Sequence, residues 1–207
     1  MESKTYIQSY CKIEKNAIWL NGEKIFESDD LAFPEFAKEA YKHFEISYPK
    51  FFKMDSLSKI AFLASELIFK GKINPEIEND IALLFANKSS SLDTDFKYQE
   101  SISDKKEYFP SPAVFVYTLA NICMGEISIK NQLKSENCFF IFDTFNSEFM
   151  ANYANILLKT EKSEKVLCAW TELYKEDYEV FMYLVSNENL GETLENTKEN
   201  LENLYKK

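Results

Sequence analysis

Residues 79–87 read NDIALLFAN, a continuous apolar run bounded on both sides by polar residues. It is shorter than an ordinary helix, and a half-exposed strand would alternate apolar with polar residues. It therefore reads as a strand covered on both faces. Residues 138–142 (CFFIF) and 165–170 (KVLCAW) repeat the pattern. A strand of this kind needs an apolar layer above and below it, and helices are the usual supply. The chain is thus expected to fold as a layered α/β domain around a mixed sheet.

The remaining segments fit that frame. Residues 5–13 and 17–26 read as strands joined at Glu14-Lys15-Asn16, with Asn21-Gly22 as a second hairpin turn. Near Phe33 a helix begins, with Pro34 in its first turn and Phe36, Ala37, Ala40, Tyr41 and Phe44 at helical spacing. A second helix follows Met54, capped by Asp55 or Ser56 and closed by Gly71, with Leu57, Ile60, Ala61, Ala64, Leu67 and Ile68 on one face. Residues 88–103 are polar and serine-rich, which predicts a surface loop carrying a short helix. Pro112 opens a long apolar helix reaching about Gln132; residues 148–158 read as a helix and 179–186 as a strand. Residues 192–207 form a charged helix whose thin stripe of Leu194, Leu201 and Leu204 is expected to pack loosely or on a partner.

Composition removes several function classes. With 207 residues, 45% of them hydrophobic, the chain has enough material for one sizeable core. All 24 basic residues are lysine and the formal net charge is −10, so a nucleic-acid partner is not expected. Arginine clamps on phosphate or carboxylate are ruled out by the same count. Four glycines leave no room for a glycine-rich nucleotide loop. The cysteines Cys11, Cys123, Cys138 and Cys168 form no C-x-x-C pair and read as reduced thiols in apolar surroundings. His43, the one histidine, lies on a lysine-rich amphipathic helix and reads as a surface residue, so neither a metal site nor a cofactor is expected. No run is long and apolar enough for a membrane span, and a cytoplasmic location is expected.

Four blocks, in order, resemble the N-terminal half of β-ketoacyl synthases, the condensing enzymes of the thiolase fold. Met54-Asp55-Ser56-Leu57-Ser58-Lys59 is similar to the family's "M-D-x-x-S" helix start. Residues 80–91 resemble its strand and serine- or glycine-rich loop. Residues 109–129, from Phe109-Pro110-Ser111-Pro112 through Asn121 to Gly125-Glu126-Ile127-Ser128, resemble "P-x-x-F-x-x-x-x-x-N-x-x-x-G-x-I-(A/S)". Glu136-Asn137 and the strand after it stand where the family has "G-P-N" and the strand entering its nucleophile turn. The resemblance implies one domain over 1–207, with a divergent hairpin and helix (1–50), a family-like core (51–186) and a charged C-terminal helix (187–207).

The departures are chemical. The family's catalytic cysteine falls at about Thr144, flanked by Asp143 and Phe145, and Cys138 comes too early, inside the strand. The family's histidines come from a C-terminal half with no counterpart in this chain. A threonine hydroxyl without a base is inert at neutral pH. The resemblance therefore implies a non-catalytic subunit of a type II fatty acid, polyketide or aryl polyene system. In the family the strand before the turn pairs with its copy across a two-fold axis. Cys138, Phe139, Phe140, Ile141 and Phe142 are thus the expected interface, in a homodimer or with a complete synthase. An acyl carrier protein is a further expected partner, docking on the synthase or on a cluster of Lys50, Lys53 and Lys59. Two other readings stay open: a small acyltransferase or thioesterase using Asp143, Thr144 or Ser147, and a module that holds a carrier protein or lipid chain.

Overall fold

The computed structural model of the chain describes residues 4–103, 109–191 and 193–207. The chain opens with β1 (Tyr6–Glu14), β2 (Ala17–Leu20) and β3 (Glu23–Glu27), followed by α1 (Phe33–His43), a 3₁₀ turn (Pro49–Lys53) and α2 (Ser56–Phe69). β4 (Ile81–Asn87), α3 (Leu92–Ser103), α4 (Pro112–Val116) and α5 (Ile122–Asn131) come next, then β5 (Asn137–Ile141) and α6 (Ser147–Lys159). β6 (Lys165–Tyr174), β7 (Asp177–Ser186), β8 (Leu194–Glu195) and α7 (Lys198–Lys206) complete it.

One eight-stranded sheet organises these elements, in the order β3-β2-β1-β7-β6-β4-β5, with β8 beside β1. β4 is parallel to both β5 and β6, whereas the pairs β6–β7, β7–β1, β1–β2 and β2–β3 are antiparallel. All seven residues of β4 are buried, as its continuous apolar run requires. Alternate residues feed two cores. Ile81, Leu83 and Phe85 join α1, α2 and α5 on one face. Ala82, Leu84 and Ala86 join α6 and α7 on the other. Within the first layer α2 is the central helix, with eleven buried residues, because it lies between the sheet and α1 and α5.

Both hairpins turn as their sequences demand. Lys15 and Asn16, then Asn21 and Gly22, take positive φ, the twist that two-residue hairpins need. Asp55 caps α2, its side chain accepting from Ser58 N at 2.9 Å. The other carboxylate oxygen accepts from the buried Thr94 hydroxyl at 2.8 Å, which ties α3 to the cap.

Four expectations are corrected. Residues 88–103 are mostly helix, the twelve-residue α3, rather than a loop. The helix predicted over 112–132 is broken into α4 and α5. Tyr117 turns into the core, where its hydroxyl donates to Glu126 at 2.9 Å, and the Thr118 hydroxyl binds the Phe115 carbonyl instead of leaving it to the helix ladder. The C-terminal helix starts at Lys198, capped by Thr197; Leu194 sits in β8, while Glu192 lies outside the described residues. Leu201 and Leu204 are buried against this chain's own α6, so that stripe is already covered. Finally, the strand over 138–142 is an edge, half-exposed rather than buried, because among the described residues only β4 pairs with it.

Burial raises the Asp55 pKa, and the bonds from Ser58 and Thr94 oppose that only in part. The folded-state pKa therefore lies above the unfolded one, and the associated stability is full below the unfolded carboxyl range and lost as pH rises through the folded pKa. Asp55→Ala should lower stability by about 1–2 kcal/mol through loss of the cap. Asp55→Asn keeps the acceptor without the charge. In denaturant titrations it should be at least as stable as wild type at neutral pH, with its advantage shrinking as the wild-type carboxylate protonates.

Candidate functional site at the end of β5

β5, β4 and β6 run parallel, and their carboxyl ends meet at one rim of the sheet, where open α/β sheets place ligands. The segment 142–146 leaves β5 at that rim and enters α6. Phe142 N extends the ladder by donating to Asn87 O at 2.9 Å. Asn146 caps α6, its side chain accepting from Phe149 N at 3.0 Å. Between them Asp143 and Thr144 are exposed and Phe145 turns inward. The Phe145 ring packs at 4.8 Å from Tyr205, 5.5 Å from Phe181 and 6.3 Å from Trp170.

No residue of this segment has positive φ, so it is an ordinary turn and stores none of the strain of a nucleophile elbow. Thr144 opens onto a shallow groove of about 430 Å³, which is also lined by Glu148, Lys198 and Glu202. Those charges are occupied: Lys198 pairs with Glu148 at 2.9 Å, and Glu202 accepts from the Ser147 hydroxyl at 3.2 Å. Asp143 is exposed to solvent. His43 stands at the far edge of the sheet, its ring 4.9 Å from Phe26 of β3 and 4.8 Å from Phe44. With five strands of the path lying between β3 and β5, the imidazole cannot serve Thr144.

The cysteines stand equally apart from a nucleophile's role. Cys11, Cys123 and Cys168 are buried, and desolvation pushes their thiols far up. Cys138 lies within β5 with its sulfur 3.4 Å from the Tyr153 hydroxyl. That contact, with burial and the nearby Glu136, pushes Tyr153 up to about 12. Phe139 and Ile141 face the α5 side of the sheet, while Cys138, Phe140 and Phe142 pack towards α6. Phe140 sits 4.7 Å from Phe149 and 5.5 Å from Tyr153, so it belongs to this chain's own core.

Sequence reasoning missed three buried or bound carboxylates. Glu126, 4% exposed, forms an ion pair with Lys50 at 2.8 Å and accepts from Tyr117. Its signal was available: a lone acid inside the apolar run ICMGEISI. Glu172 accepts from Lys88 N at 2.7 Å and Ser89 N at 3.1 Å, closing the loop after β4. Glu179 accepts from Trp170 Nε1 at 2.7 Å and from the Tyr205 hydroxyl at 2.8 Å, fastening α7 over Phe145. Nothing local in the sequence marks those two.

No protein-family model matches the chain, and no curated protein matches it. Solved structures match in shape. The ishigamide ketosynthase/chain length factor superposes with a TM-score of 0.66 at 13% identity, over 92% of this chain and 64% of that one. The ketosynthase ApeO in complex with its chain length factor ApeC, from Xenorhabdus doucetiae, gives 0.57 at 13% identity, over 90% and 80%. A β-ketoacyl synthase from Burkholderia phymatum STM815 gives 0.58 at 10% identity, over 89% and 59%. The fold is therefore the thiolase-like ketosynthase fold. The chain spans less than two thirds of the first and third of these structures.

The geometry separates the two neighbours at the turn. Thr144→Ala should change stability by no more than about 0.5 kcal/mol, as for an exposed residue without partners. Phe145→Ala should cost about 3 kcal/mol, the low end for a phenylalanine because its ring is only half-buried. Incubation with an acyl thioester should leave the wild-type mass unchanged; a covalent adduct on Thr144 would contradict this account.

Proposed function

We propose that the chain is a non-catalytic ketosynthase-like subunit that acts by pairing through β5, with a second copy or with an active synthase. The observation that carries this reading is the open edge of β5. One side of the strand is paired with β4, and among the described residues no strand covers the other. An open edge of this kind is a template for another strand. Next to it, Ile141 is 52% exposed and Leu119 58% exposed, and both line one depression with Phe139, Thr118 and Asn121. Phe115 and Val116 add further exposed apolar surface on α4. A free edge bordered by apolar side chains fits strand addition backed by side-chain burial.

The chemistry supports a structural role in the same assembly. The resemblance puts the family's cysteine at about Thr144, and the turn there has no residue with positive φ and no histidine nearby. Shape neighbours include ketosynthase structures that carry a chain length factor, which makes a type II polyketide, fatty acid or aryl polyene system the natural setting. Acyl transfer or thioester hydrolysis at Asp143, Thr144 or Ser147 gains no support, since Asp143 is exposed and the Ser147 hydroxyl donates to Glu202. Of the lysines expected to dock a carrier protein, Lys50 is paired with Glu126, whereas Lys53 and Lys59 form no ion pair among the described residues.

The best test is at Ile141, which is exposed, since Phe140 packs internally. Light scattering after size-exclusion chromatography should give wild type the mass of two chains, or of a complex with a co-expressed active ketosynthase. Ile141→Lys should reduce it to the single-chain mass without changing its circular dichroism. A wild-type monomer at micromolar concentration that recruits no synthase would sink the pairing.

A further inference from the structure

A second cavity lies on the opposite helical layer from the Thr144 turn, between the N-terminus of α2, α3 and α4. It measures about 260 Å³ and is walled by Met54, Ala113, Val114 and Tyr117, with Lys53, Lys59 and Lys97 at its polar side. Three lysines around one cavity are notable in a chain whose formal net charge is −10. Their counter-charges are unevenly distributed. Lys97 is paired with Asp93 at 2.6 Å. Asp55, the one acid lining the cavity, spends its two oxygens on Ser58 N and the Thr94 hydroxyl. Tyr117 spends its hydroxyl on Glu126, which in turn holds Lys50. Lys53 and Lys59 form no ion pair among the described residues.

Lys59 is the informative group. Its side chain is half-buried, and burial lowers its pKa despite the attraction of Asp55, while Lys97 adds repulsion. An ammonium held in that position is under-compensated, and an anion placed in the cavity would relieve it. Apart from Ser56 and Thr94 the cavity's other walls, Met54, Ala113, Val114 and Tyr117, are largely apolar, which favours a ligand that carries hydrocarbon beside its charge. Its volume is slightly below the range of about 300–1,000 Å³ that holds drug-sized molecules, so the ligand is small.

We propose that this cavity is a binding site for a small organic anion, a carboxylate or phosphate monoester, whose uncharged part packs on Met54, Val114 and Tyr117 while Lys59 and Lys53 hold its head group. The site is separate from β5 and from the pairing proposed above, so the two stand or fall independently.

Titration calorimetry and amide NMR shifts with four probes decide it: hexanoate, hexyl phosphate, hexanol and inorganic phosphate. Saturable binding of hexanoate or hexyl phosphate, with shifts at residues 53–59 and 113–117, is the expected result, and the tighter of the two identifies the head group. Lys59→Met should weaken that binding at least about tenfold, the loss of one hydrogen bond to a charged group. Lys59→Arg should restore most of it. Val114→Trp, which fills the cavity and leaves the lysines in place, should abolish it, so the inference does not hang on one variant's folding. Hexanol binding as tightly as hexanoate would overturn the ionic half of the assignment, and inorganic phosphate binding as tightly as hexyl phosphate would overturn the apolar half. Failure of both amphipathic anions to bind the folded wild type, or unchanged binding by Lys59→Met, would overturn the site as a whole.

Discussion

Everything else in this fold depends on the burial of β4 and its neighbours on both faces. β4 presents Ile81, Leu83 and Phe85 to one side and Ala82, Leu84 and Ala86 to the other. Each large apolar side chain buried this way contributes about 1.5–3 kcal/mol, and no single layer of helices can collect from both faces. The chain therefore needs α2, with α1 and α5, on one side and α6, with α7, on the other. The asymmetry of the two layers follows from the residues. Small alanines of β4 meet the Met150, Ala151 and Ala154 face of α6, while leucine and phenylalanine meet the thicker layer around α2.

The same requirement explains why β5 differs from β4. A central strand is paired on both edges and covered on both faces; β5 is paired on one edge only, and its ends are exposed. Cys138, Phe140 and Phe142 cover α6, which uses up half of its aromatic surface within the chain. What remains is the backbone edge with Phe139 and Ile141 beside Leu119. That edge is apolar and free of lysine, one of the devices that usually keep sheet edges apart.

Much of this was legible in the residues. Continuous apolar runs identified β4 and β6, turn chemistry placed both hairpins, and Asp55 was readable as a cap. The errors share one cause, which is that local pattern does not report tertiary partners. CFFIF reads the same whether its second edge is paired or open. The segment 112–132 reads as one helix because nothing nearby in sequence reveals that Tyr117 will reach inward to Glu126. Leu201 and Leu204 looked like a stripe awaiting another protein because α6 lies some fifty residues earlier, far outside any helical window. At the turn after β5 the resemblance pointed to Thr144, whereas Phe145 is the residue the fold packs into its core.

That exchange of roles is a physical argument about what the turn is for. A nucleophile turn holds its reactive side chain out and accepts backbone strain to do so, a cost that must be met by the surrounding structure. Here no residue from Phe142 to Asn146 takes positive φ, and the Phe145 side chain points in. Phe145 enters a cluster with Trp170, Phe181 and Tyr205, and Glu179 locks two of those rings by accepting from Trp170 and Tyr205. Burial and the Glu179 carboxylate both raise the Tyr205 pKa, so the hydroxyl stays protonated and keeps donating across the ordinary pH range. The C-terminal helix is thereby fastened over the turn, and the turn fixes the end of β5. The turn is thus arranged for packing, and that arrangement does not depend on a reactive atom at residue 144.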